Sequence, residues 1–149
     1  MMQRAPTAWE TMPGRRRRSL VWLLWFLTWL GLLAGLIDNR AFTAVVAFSA
    51  AHAILVLALN RFRVSEFPVQ VRIAYVLWVA AGTFVPHMAV LLYITTIGLI
   101  GNLFFNYCLL ARLLYLLPWN RDEQLTVGLV QRVFFTPPSQ GPFRPVSPR

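Results

Sequence analysis

The chain has 149 residues, 58% of them hydrophobic and only 13% charged, whereas an average soluble domain is about 25% charged. Too few polar side chains exist to cover a water-exposed surface, so lipid is the expected solvent for most of the chain. The formal net charge is +9, but all fourteen basic residues are arginines set beside apolar runs; that is the pattern of orientation signals and anionic-lipid contacts, and it argues against nucleic acid as a partner.

Residues 1–18 are polar, carry Pro6 and Pro13, and lack apolar periodicity, so they read as a mobile basic tail. The run Arg15-Arg16-Arg17-Arg18 before an apolar stretch could open a signal peptide, but the stretch is nineteen uncharged residues long and no small-x-small cleavage site follows. It reads instead as a first span, residues 19–37, about 28 Å long at 1.5 Å per residue. The short connection Asp38-Asn39-Arg40 makes the second span, residues 41–59, its antiparallel neighbour. A third span follows at residues 67–85, with Pro68 in its first turn and Arg72 within snorkelling reach of headgroups. The fourth is the uncharged stretch 88–111, closed by Arg112 at the cytoplasmic surface, and the transmembrane domain ends near residue 117. Asn120 followed by Glu123 resembles a capping box, so residues 120–135 read as an amphipathic helix, lying on the membrane or docked on a partner. Residues 136–149 are proline-rich and read as a disordered tail.

Counting arginines orients the chain. With four spans, thirteen fall on one side, including Arg15 to Arg18, Arg61, Arg63 and Arg112, and only Arg40 falls on the other. The positive-inside rule makes the crowded side cytoplasmic, with both termini there. The expected fold is an all-α integral membrane protein: a four-transmembrane-helix bundle with a short C-terminal interfacial helix, in a bacterial inner membrane.

Few side chains inside the spans carry chemistry. Gly31 and Gly35 form a GxxxG, suited to close helix packing within the chain or between copies. Trp25 and Trp29 could face lipid, a neighbouring helix or a bound pigment. His52 is the one ionisable group well inside an apolar span, about 16 Å along its helix. It could be a neutral histidine bonded across helices, a proton-relay group, or the ligand of a haem or chlorophyll. Thr95, Gly98, Asn102 and Asn106 make a polar stripe that should look inward, with Asn102 pairing to His52 or Ser49. Cys108 has no CxxC or histidine partner nearby and reads as a packed residue.

No catalytic motif and no metal-ligand spacing is present, and none of the five acidic residues lies in a span. No cofactor is indicated beyond the His52 possibility. The expectation is a non-catalytic accessory, assembly or stabilising subunit of a larger membrane complex, with anionic lipids and other membrane subunits as partners. A small homo-oligomeric channel or transporter and a haem- or pigment-binding redox subunit are the alternatives.

Overall fold

The computed structural model describes residues 6–138, and within them the chain is all-helical, without a strand. Helix α1 is one turn, Ala8–Thr11, closed by a capping box: Glu10 Oε2 accepts from Thr7 N at 2.8 Å, and Thr7 Oγ1 accepts from Glu10 N at 3.2 Å. Pro13 then sets the entry of α2, Gly14–Ile37. The four consecutive arginines are therefore the opening turns of the first long helix and not an irregular tail; arginine is a good helix former and runs straight into the apolar segment.

Asp38 turns the chain, its Oδ1 accepting from Arg40 N at 3.0 Å, and α3 covers Arg40–Leu59. At its end, Phe62 N donates to Leu57 O at 2.8 Å and Arg61 N to Ala58 O at 3.0 Å, with Arg61 and Phe62 both at positive φ. That bond pair is a Schellman closure, which satisfies carbonyls the helix itself leaves over. Helix α4, Phe67–Phe84, carries Pro68 in its first turn, where the missing N–H costs nothing.

The fourth apolar stretch is not one helix. Helix α5 spans Val90–Phe105, Asn106 adopts the left-handed conformation (φ 52°), and α6, Leu109–Tyr115, leaves at 93°. Asparagine enters that region at little cost. The N–H groups of Asn106 and Tyr107 both close on Gly101 O, and Cys108 Sγ caps α6 by accepting from Ala111 N at 3.4 Å. Helix α7 is Val127–Phe135, shorter than the expected 120–135, because Thr126 is its cap and accepts from Leu129 N at 3.1 Å. The residues of the expected capping box are used elsewhere. Asn120 Nδ2 donates to Gln70 Oε1 at 2.7 Å and Leu114 O at 2.9 Å, and Glu123 pairs with Arg132 at 2.6 Å.

Helices α2, α3 and α4 are each long and apolar enough to cross a membrane, and the bent pair α5–α6 makes a fourth candidate. Helix α3 packs on α2 and α4, and α5 packs on the same two from the opposite side. Trp25, Leu32, Val45, Tyr75, Val79, Leu92 and Leu99 fill the centre. A small separate core joins the last two helices, where Leu129 and Val133 of α7 bury against Tyr115 of α6.

Candidate functional site

Gly31 and Gly35 lie on the α2–α3 seam. A Cβ on Gly31 would come within 2.7 Å of Val45 Cγ2, and one on Gly35 within 2.4 Å of the Phe42 ring. Glycine is what lets these two helix backbones approach so closely.

One turn and a half below that seam the interior becomes polar. His52 (4% exposed) and Ser49 (3%) of α3 are enclosed together with Trp25 of α2 and Arg72 and Tyr75 of α4. The Trp25 ring meets His52 edge-on at 5.3 Å and Tyr75 edge-on at 4.7 Å, and the Arg72 guanidinium lies 5.7 Å from the same ring. Arg72 is thus buried rather than reaching for headgroups. Its Nη1 donates to Pro68 O, one turn earlier, at 2.8 Å. His52 Nε2, Ser49 Oγ and Tyr75 Oη make no hydrogen bond among the described residues. No carboxylate belongs to this cluster, since Glu10, Asp38, Glu66, Asp122 and Glu123 all lie outside the long helices. The set is rich in donors, and nothing in it can orient His52 as a base towards a nucleophile in the manner of a triad. Two open surface grooves, one beside Arg15 and Arg16 and the other beside Trp119, do not reach His52. The His52 ring is enclosed, with the Trp25 ring edge-on against it. Among the described residues no three His, Cys, Asp or Glu side chains gather as a metal site.

The polar stripe of α5 is split. Thr95 is buried and its hydroxyl donates to Leu91 O, one turn back. Gly98 is half-buried, with no atom within 4 Å of where a Cβ would be. Asn102 is half-buried and Asn106 exposed. The inward face of α5 is carried by Leu92, Thr95, Thr96, Leu99 and Leu103. No hydrogen bond joins Asn102 to His52 or Ser49 among the described residues; α5 packs on α2 and α4, which leaves α3 across the bundle.

Among the arginines, Arg15, Arg16, Arg18 and Arg61 are exposed and Arg17 and Arg63 partly so. Arg112, like Arg72, is buried: it is 2% exposed and faces protein rather than lipid or water. Its guanidinium donates to the carbonyls of Val133 and Phe134 and, at 2.8 Å, to that of Thr136. Its Cζ stacks 4.1 Å over the Tyr107 ring, whose hydroxyl donates to Phe134 O at 3.1 Å. Arg112 and Tyr107 together hold the carbonyls that end α7, a clamp the sequence reading missed because its two halves lie more than twenty residues apart.

No protein-family model, curated protein or solved structure matches the chain.

Proposed function

We propose that this chain is a small polytopic protein of a bacterial inner membrane, with four spans and both termini in the cytoplasm, acting as a non-catalytic accessory, assembly or stabilising subunit of a larger membrane complex. The arginine asymmetry, thirteen against one, supports the orientation. The observation that carries the partner reading is the stripe Gly98, Asn102, Asn106, which lies off the buried face of α5. Helix α5 has 16 residues, about 24 Å, so Asn106 ends roughly 6 Å short of crossing a hydrocarbon layer of about 30 Å. Asn106, exposed, and Asn102, half-buried, therefore lie at hydrocarbon depth, where a carboxamide needs a hydrogen-bonding partner. A bare glycine one turn from Asn102, with amides continuing along the face, is the surface on which another membrane helix packs and bonds.

The test is gentle detergent extraction followed by identification of co-purifying chains, repeated with Asn102→Leu. A defined heteromeric complex that the substitution weakens is the expected result. Recovery of the wild-type chain only as a free monomer would count decisively against it. A complex built solely of this chain would favour the homo-oligomeric reading, and liposome flux would then decide whether it conducts.

A further inference from the structure

We infer that the cytoplasmic end of α2 carries a discrete site for one anionic phospholipid, its phosphate held by Arg15 and Arg16 and the start of its acyl chain lying along Leu20 and Leu23. The inference rests on the membrane reading above and goes beyond it, because charge asymmetry alone asks only for a diffuse attraction. Arg15, Arg16, Ser19, Leu20 and Leu23 line one open depression on the outer face of the helix. Its upper part is cationic, Ser19 adds a hydroxyl, and its lower part is aliphatic. Arg15 and Arg16 are exposed and form no ion pair among the described residues.

Depth fits a lipid. Helix α2 has 24 residues, about 36 Å, against about 30 Å of hydrocarbon. The nineteen uncharged residues 19–37 span the apolar layer. The preceding five then stand about 7 Å above it, at the depth of the lipid phosphates. Arg16 to Leu23 covers roughly 10 Å along the axis, from phosphate to upper acyl chain. Arginines crowded at the positive end of a helix dipole are unfavourable without an anion beside them. The guanidinium fork matches two phosphate oxygens, which a diffuse ionic atmosphere does not require. Leu20 and Leu23 distinguish a lipid from free phosphate, since an inorganic ion leaves the aliphatic half of the groove uncovered.

The full chain is reconstituted in phosphatidylcholine vesicles carrying spin-labelled phosphatidylglycerol or spin-labelled phosphatidylcholine, and the motionally restricted fraction of each is measured. A preference for phosphatidylglycerol is expected. Each arginine near an anionic surface contributes a factor of about five, so Arg15→Gln/Arg16→Gln should lower the preference by at least about tenfold. Arg61→Gln/Arg63→Gln, in the α3–α4 turn on the same side, removes only diffuse attraction and should lower it severalfold less than the Arg15/Arg16 pair does. Arg15→Lys/Arg16→Lys keeps the orienting charge and should give an intermediate value, having lost the fork. Equal loss from the two glutamine pairs would mean diffuse charge and overturn the site, as would an absence of preference in the wild type. Displacement of the labelled lipid by inorganic phosphate at constant ionic strength would overturn the acyl part. If neither lipid is restricted at all, the membrane reading falls and the site with it.

Discussion

Replacing Arg112 with leucine isolates the clamp between α6 and α7. The guanidinium reaches three main-chain carbonyls at the end of α7, those of Val133, Phe134 and Thr136. Hydrogen bonds to a charged group contribute about 1.5–3 kcal/mol each. Counting two of the three, the substitution removes roughly 3–6 kcal/mol. Against this, α7 docks through two fully buried side chains, Leu129 and Val133, worth about 1.5–3 kcal/mol apiece. Holding nine residues in helical geometry costs about 1 kcal/mol or more per residue. The apolar contact alone does not hold the helix, so Arg112→Leu should undock α7 without unfolding the bundle. Hydrogen–deuterium exchange on the detergent-solubilised protein reads this directly. A loss of about 3 kcal/mol or more corresponds to at least roughly hundredfold faster exchange at residues 129–135. Amides of α2, α3 and α4 should be unchanged. Exchange in α7 within about threefold of wild type would refute the claim that Arg112 holds it.

Other outcomes follow from the same geometry. Gly35→Ala should lower stability by about 1–3 kcal/mol in denaturant titration, because the new methyl meets the Phe42 ring. Gly98→Ala should be neutral, or stabilising by up to about 1 kcal/mol through helix propensity, since nothing lies near it. Thr126→Ala removes the cap on α7 and should cost about 1 kcal/mol, seen as faster exchange confined to that helix. Impermeant labels attached through cysteines placed near the two ends of the chain should react from one and the same face of sealed vesicles; reaction from opposite faces would remove the orientation argument.

Apolar run lengths were enough to place α2, α3 and α4 to within a few residues, because an uncharged stretch of that length has few other uses. The signals that failed were local ones outvoted by distant contacts. Asn120 and Glu123 have capping-box spacing, yet Asn120 is drawn to Gln70, fifty residues back, and Glu123 to Arg132. The break at Asn106 carries no proline to announce it. Its one mark is asparagine's tolerance of the left-handed region. Arg112 after an apolar stretch looks like a headgroup anchor, and only the carbonyls supplied by residues 133–136 allow it to be buried. The polar stripe was visible as a stripe. Its direction was not, because facing depends on which helices flank α5, and those are α2 and α4.

The two buried arginines share a solution that bears on function. Both donate to main-chain carbonyls at helix ends: Arg72 to Pro68 in the first turn of α4, Arg112 to the last turn of α7 and the residue beyond it. For Arg112 the acceptor is a helix C-terminus, which leaves four carbonyls unbonded and carries partial negative charge, so it can receive a guanidinium where no carboxylate is at hand; Arg72 instead shares a carbonyl at the start of its own helix. This chain keeps its five acidic residues out of the long helices altogether. Charge is thereby accommodated inside the protein without introducing any side chain that takes up protons. Intramembrane proton coupling generally relies on carboxylates or histidines that water or substrate can reach, and His52 is sealed against Trp25. His52 and Ser49 are enclosed, whereas Asn102 on α5 is half-buried and Asn106 just beyond it is exposed, so the amides that a neighbouring chain could reach lie on that side of the bundle.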